Sequence, residues 1–318
     1  MNVKGFETIE YYGSEGVRNL LIKDAGDLSP GGFDAKATFE SGQCFRWTDL
    51  GDGRYSGIAY GKSVVISSAD RSNIFIENSS SEDFATIWHD YLDLSTDYNK
   101  IAERAVQDEF MRKAVAFAGG ARILRQEFSE TLFSYILSSQ NNIPRIKGLV
   151  RDLCRRHGAP VGTGATDTDT FSGYSFPDTY TIARDFCDSP DCGSGQFCTR
   201  KFAGYRCPYI KRTASMIASG EFTPDPERLA ELDQDLARKD LCRLPGVGEK
   251  VADCVLLYSG IRHDVCPIDT WVEKTIKKIY LDDKASKKEI REFTSGYFGD
   301  IAGYAQLWFF YYARTGAL

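Results

Sequence analysis

Histidine is scarce in this chain. The three present, His89, His157 and His263, lie far apart and match no catalytic spacing. A Ser/His/Asp arrangement and a glycine-rich phosphate-cradling loop are likewise missing. No apolar run is long enough to cross a membrane, and the start of the chain (Met1 to Glu7) carries no signal-peptide pattern, so a soluble intracellular protein is expected. Nine cysteines, an odd number scattered through helical patterns, fit a reducing compartment better than a disulfide framework. Excess positive charge is absent too: the net charge of −6 argues mildly against a polyanionic partner. Distribution matters more than the sum, however. Arg145, Lys147, Arg151, Arg155 and Arg156 gather on one helical stretch, and Arg200, Lys201, Arg206, Lys211 and Arg212 on another. By themselves such clusters are as well explained by ordinary solvated faces. The 318 residues allow two or three subdomains with ample core.

The most informative stretch runs from Leu241 to Cys254, Leu-Cys-Arg-Leu-Pro-Gly-Val-Gly-Glu-Lys-Val-Ala-Asp-Cys. Residues 229–241 before it repeat apolar side chains at helical spacing, and residues 251–258 after it read as a buried second helix. Pro245, Gly246 and Gly248 break the helix between them. A helix–hairpin–helix results, whose turn presents backbone N–H groups at a helix N-terminus, a geometry suited to a phosphate oxygen. That motif supplies affinity and register on nucleic acid but no chemistry. Lys250 changes this. It sits in the first turn of the second helix, where the macrodipole disfavours a cation and favours the neutral, nucleophilic amine. Glu249 acts in the opposite sense unless it faces solvent. Nineteen residues after Lys250, Asp269 follows Pro267-Ile268 at the start of a further helical run. Its plain role is an N-cap, which is compatible with catalysis because a capping carboxylate is held rigidly.

The Leu-Pro-Gly-Val-Gly-x-Lys-Val-Ala-Asp-Cys run, followed by Pro267-Ile268-Asp269, resembles the 8-oxoguanine DNA glycosylase/lyases of the helix–hairpin–helix base-excision superfamily. The resemblance extends from about Phe39 to Phe310. It implies an α+β chain: an antiparallel sheet domain over residues 1–118, then an all-α glycosylase domain over 119–318 with the hairpin near 236–258. It implies Lys250 as Schiff-base nucleophile and Asp269 as its catalytic partner. In the segment Phe39 to Trp47, Gly42 matches a glycine whose carbonyl reads the lesion; oxidation puts a proton on N7 of guanine, turning an acceptor into a donor. Gln306 and Phe310, four apart on one helical face, match the residues that hold the edge and stack on the face of the extruded purine. Cys254 matches the thiol against its other face. Each of these has core packing as its plainer explanation.

For the duplex, the resemblance implies Gln140, Arg145, Tyr205 and Arg206, together with the hairpin glycines Gly246 and Gly248. Gln140 stands where the family has Asn; it keeps the amide but lengthens it. Arg145 and Arg206 match readers of the orphaned cytosine, and Tyr205 matches a wedge between base steps. Trp271 replaces a His common in the family. The expected partner is duplex DNA carrying 8-oxoguanine opposite cytosine, bound by a monomer. Cys187, Cys192, Cys198 and Cys207 invite a zinc hypothesis, but their spacings exceed those of structural zinc sites, and no metal or cofactor is expected. Nothing after Cys266 is cysteine, which excludes the late four-cysteine cluster of endonuclease III relatives. A monofunctional alkyl-base glycosylase would need no amine at Lys250, and a non-catalytic DNA-binding hairpin would need no Asp269.

At the level of elements, β-strands are expected over 33–39, 44–47, 55–60, 63–66 and 74–76, with turns at Gly51-Asp52-Gly53 and Gly61-Lys62. Ser79 to Glu82 reads as a capping box opening a helix through Leu92. Beyond it the pattern is helical, interrupted by Gly119-Gly120 and by a polar loop from Gly158 to Gly173 that is expected to be mobile.

Overall fold

The computed structural model describes residues 1–13, 16–68, 70–162, 173–187 and 203–315. Seven strands, β1 (Asn2–Val3), β2 (Phe6–Tyr12), β3 (Arg18–Ile22), β4 (Trp47–Gly51), β5 (Arg54–Ala59), β6 (Lys62–Ser67) and β7 (Ile74–Glu77), form one sheet. Their order is β1-β2-β3-β7-β6-β5-β4, and every pairing is antiparallel. Strands β5, β6 and β7 fall on expected runs, whereas β1, β2 and β3 fall on none. One face of the sheet buries Leu20, Ile22, Val64, Ile66, Ile74 and Ile76 against Phe39, Phe84 and Trp88. This burial, worth about 1.5–3 kcal/mol for each large apolar side chain, holds the layer together.

Four local expectations are corrected. Residues 33–39 form no strand: Ala35–Glu40 is a helix, opened by Asp34, whose carboxylate accepts from the Ala37 N–H at 2.9 Å. The cap satisfies an otherwise orphaned donor and outweighs the β-propensity of Phe and Thr. Of residues 44–47, Trp47 alone enters a strand. Further on, the capping box is built from Ser80 and Asp83, not Glu82, and the helix it opens passes through a π-turn at Phe84–Trp88. The helical pattern at 229–241 is two helices, Pro226–Glu231 and Gln234–Leu241, because Asp233 caps the second through the Asp235 N–H.

The rest of the described chain is largely helical. Helices Tyr98–Ala105 and Glu109–Ala118 precede residue 119 in sequence, yet their buried faces belong to the helical core. At the middle of that core lies Ala302–Arg314, nearly all of it buried, packed on Glu109–Ala118 and Thr270–Ile279. The hairpin's second helix, Glu249–Tyr258, lies against Phe128–Ser138. Most of the polar loop at 158–173, and Cys192 and Cys198, lie outside the described residues. Within them, Pro160–Val161 pairs with Gly173–Tyr174, and the Cys207 thiol donates to the Cys187 carbonyl at 3.0 Å. Among the described residues no group of three potential metal ligands converges, and no helix is long and apolar enough to cross a membrane.

Candidate active site

Sheet domain and helical core meet at the turn that follows helix Ala35–Glu40. There Gly42 adopts φ +86°, a conformation costly for residues with a Cβ. The next residue, Gln43, is fully buried. Its Nε2 donates to the Arg122 carbonyl at 2.7 Å, and its Oε1 accepts from the Leu124 N–H at 2.8 Å. Gln126 Nε2 in turn donates to the Gln43 carbonyl at 2.9 Å. Gln43 thus pins the Gly42 turn to the helical domain. The sequence had offered it no role.

The hairpin brings Lys250 to the same place. Gly246 has φ +82°, and a Cβ there would stand 2.7 Å from Tyr209 Cβ, so the turn needs glycine for both its conformation and its close approach. Thr213 Oγ1 donates to the Pro245 carbonyl at 2.8 Å and ties the turn down. Gly248, the N-cap, is exposed with open space around it. The two hairpin helices are locked by Arg238, whose Nε donates to Asp253 Oδ1 at 2.7 Å. Burial pushes the Asp253 carboxyl up to about 6 against the pull of Arg238. Glu249 faces solvent and accepts from Arg291 Nη1 at 3.0 Å, away from its neighbour.

Lys250 Nζ lies 4.8 Å from the centroid of the Tyr135 ring, one helical turn before Cys254. An ammonium over an aromatic face is held by the ring quadrupole without being neutralised by a counter-ion. Burial pushes the Cys254 thiol up to about 12, with Lys250 acting in the opposite direction. Asp269 caps helix Thr270–Ile279, accepting from the N–H groups of Trp271 at 2.9 Å and Val272 at 2.8 Å. Burial raises its carboxyl above the ordinary value; the Val272 N–H, Lys250, the Trp271 N–H and Arg314 restrain that rise. Trp271 itself is 47 % exposed.

Gln306 and Phe310 project from Ala302–Arg314 into the same region. Gln306 is buried and its Oε1 accepts from Tyr258 Oη at 3.3 Å. Phe310 lies beside Gly42, close enough that a Cβ on Gly42 would be 3.5 Å from its Cε1. Arg314 stands 5.6 Å from the Phe310 ring centroid and donates to the Glu40 carbonyl. The structure therefore gathers Gly42, Lys250, Cys254, Asp269, Gln306 and Phe310 around one buried aromatic pair, Tyr135 and Tyr258. None of the three histidines is among them: His89 pairs with Asp90, His157 with Asp185, and His263 stacks on Tyr304.

Beside this cluster the turn after Phe128–Ser138 forms an exposed ridge. Gln140 is exposed at φ +50°, and Arg145 is exposed in the first turn of helix Ile143–His157, which Asn142 caps. Tyr205 is 49 % exposed, and its hydroxyl donates to the Ser139 carbonyl at 3.2 Å. Arg206 differs from the other three: it is buried, stacks 4.4 Å from the Tyr205 ring centroid and donates through Nε to the Ser139 carbonyl at 2.9 Å and through Nη2 to that of Gln140 at 3.3 Å. In this structure its guanidinium braces the ridge.

Residues 27–132 match the family model of the 8-oxoguanine DNA glycosylase N-terminal domain. The N-glycosylase/DNA lyase OGG1 of Arabidopsis thaliana is 30 % identical over 291 residues, covering 85 % of this chain and 74 % of that protein. The structure resembles that of MBOgg1 in complex with a low-affinity DNA ligand, with a TM-score of 0.85, 34 % identity and coverage of 98 % of this chain and 99 % of the other. It also resembles the Clostridium acetobutylicum 8-oxoguanine glycosylase/lyase bound to double-stranded DNA with cytosine opposite 8-oxoguanine, at a TM-score of 0.84 and 31 % identity over 100 % of both chains. With its antiparallel sheet, its hairpin and its likeness to these proteins over nearly its whole length, the chain belongs to the 8-oxoguanine DNA glycosylase/lyase family.

Proposed function

We propose that Lys250 is the nucleophile and Asp269 the electrostatic partner of this enzyme, which excises 8-oxoguanine from DNA and cleaves the strand as a lyase. The N–H groups of the Gly246–Gly248 turn receive backbone phosphate, which gives position without sequence preference. Gln140, Arg145, Tyr205 and Arg206 occupy or brace the space left by the extruded nucleotide. The base enters between Cys254 and Phe310, with the Gly42 carbonyl accepting from N7–H and Gln306 meeting the Watson–Crick edge.

Asp269, fixed by two backbone N–H groups, places a negative charge where the sugar becomes positive as the C1′–N9 bond breaks. The electron pair of that bond leaves with the base, which then takes up a proton. The unprotonated Lys250 amine forms a bond to C1′; loss of its proton and opening of the sugar ring give the Schiff base. The iminium acidifies C2′–H, and removal of that proton expels the 3′ phosphate. Hydrolysis of the imine frees Lys250. No step calls on a cofactor.

The observation that carries this reading is Lys250 Nζ over the Tyr135 ring, one helical turn before Cys254 and close enough to the capping Asp269 to restrain the rise of its carboxyl. Cytosine opposite the lesion is the preferred partner, a monomer suffices, and the enzyme works inside the cell where its duplex lies. The test is incubation with duplex carrying 8-oxoguanine opposite cytosine, with and without borohydride. A covalent adduct is expected from the wild type and none from Lys250→Gln, which should still bind the lesion. Trapping that persists in Lys250→Gln would remove Lys250 from its role; base release without any adduct would mean a water-using glycosylase.

A further inference from the structure

Two tyrosines that no motif singled out stand between the groups assigned to read the base. Tyr135, on Phe128–Ser138, and Tyr258, ending Glu249–Tyr258, stack with ring centroids 5.6 Å apart and planes inclined by 16°. Both are buried. A phenylalanine pair would fill this space equally well, so packing alone does not explain the hydroxyls. A buried phenol O–H needs an acceptor, and what each one finds is specific. Tyr135 Oη lies 3.2 Å from the Gly42 carbonyl and 3.2 Å from that of Gln43. Tyr258 Oη donates to Gln306 Oε1 at 3.3 Å. Burial holds both phenols well above their ordinary ionisation range, so each remains a neutral donor.

We propose that Tyr135 and Tyr258 are positioning residues that set lesion selectivity, Tyr135 by fixing the Gly42 carbonyl and Tyr258 by fixing the Gln306 carboxamide. The inference rests on the reading roles given above to Gly42 and Gln306. A carbonyl oxygen carries two lone pairs, so the bond from Tyr135 leaves one for N7–H of the lesion. With Oε1 engaged by Tyr258, Gln306 Nε2 keeps its hydrogens for an acceptor such as O6. Because the two rings stack, neither reader shifts without the other. Preorganised groups of this kind discriminate better than mobile ones, since no reorganisation is needed when the base arrives.

The test uses Tyr135→Phe and Tyr258→Phe, which retain both rings and remove one oxygen each. Single-turnover excision of 8-oxoguanine is compared, in the same preparations, with cleavage of a duplex carrying a preformed abasic site. The abasic strand has no base to read but still requires Lys250. The ratio of excision to abasic cleavage is expected to fall about five- to tenfold in each variant, the effect of one lost hydrogen bond to a reading group. A ratio that stays at the wild-type value, or two activities that fall together, makes that tyrosine a packing residue and overturns its half of the proposal. Wild-type enzyme that cleaves abasic DNA yet releases no 8-oxoguanine would instead sink the base-reading assignment, and this inference with it.

Discussion

Gly42→Ala tests the most local part of the mechanism, a single carbonyl that distinguishes N7–H from N7. At φ +86° an alanine pays about 1–2 kcal/mol of backbone strain that glycine does not. The new methyl itself is tolerable: it would stand 3.3 Å from Ile143 Cδ1, a flexible tip, and 3.5 Å from Phe310 Cε1, an ordinary contact. Strain therefore dominates, and the chain relieves it by rotating φ, which swings the carbonyl away from where Tyr135 holds it. The lesion then loses one hydrogen bond, about 1 kcal/mol, and undamaged guanine escapes an unpaired acceptor facing an acceptor, about 1–3 kcal/mol. Together these are about 2–4 kcal/mol, so discrimination of 8-oxoguanine from guanine should drop by about 30- to 1000-fold. The assay is single-turnover excision from duplexes that differ only at that base, with thermal unfolding alongside to register the strain. An unfolding shift smaller than the full strain, the mark of a turn that has moved, with discrimination intact would refute carbonyl reading, since the carbonyl cannot both move and still discriminate.

Two further variants probe the charge and the ridge. Burial raises the Asp269 carboxyl, so its negative charge is lost on acidification at a pH above the ordinary carboxylate range; excision should fall along an acid limb displaced upward, and in Asp269→Asn, which keeps the helix cap, that limb should vanish with the rate reduced about 10²–10³-fold. A wild-type limb confined to the ordinary aspartate range would contradict the assignment. Gln140 sits at φ +50°, where Asn is better tolerated, so Gln140→Asn should stabilise the ridge by a few tenths of a kcal/mol and sharpen the preference for cytosine over adenine opposite the lesion, read as the ratio of excision rates on the two duplexes; an unchanged ratio would show that the shorter amide does not matter.

The hairpin was legible because its turn leaves the chain little choice. A left-handed Gly246 pressed on Tyr209, and a cap at Gly248 before a buried helix, are backbone demands that few residue types meet. Strands β5 to β7 were legible because short runs of β-formers between glycine turns have few alternatives. Residues 33–39 misled for the converse reason. Their composition favours strand, and the deciding interaction is a single hydrogen bond from the Ala37 N–H to Asp34. Composition averages over a window, whereas a cap acts at one position.

At the site the same distinction has a sharper consequence. Lys250 and Asp269 carry local signatures, a helix start after Pro-Gly and an X-Pro bend before a cap. Tyr135, Tyr258 and Gln43 carry none: in sequence they are an aromatic or an amide in an apolar stretch. What gives Tyr135 its place is a hydrogen bond to a residue 93 positions away, and Tyr258 one to a residue 48 positions away. Arg206 makes the point from the other side. Its motif suggests a reader of the orphaned base, and the fold buries it with Nε and Nη2 donating to the Ser139 and Gln140 carbonyls. A guanidinium with no acceptor in so buried a place would be costly, and the ridge supplies carbonyls that the end of helix Phe128–Ser138 leaves open. Motif residues can therefore be named before folding, but whether such a residue reads the substrate or holds another reader depends on which orphaned backbone groups the fold leaves beside it.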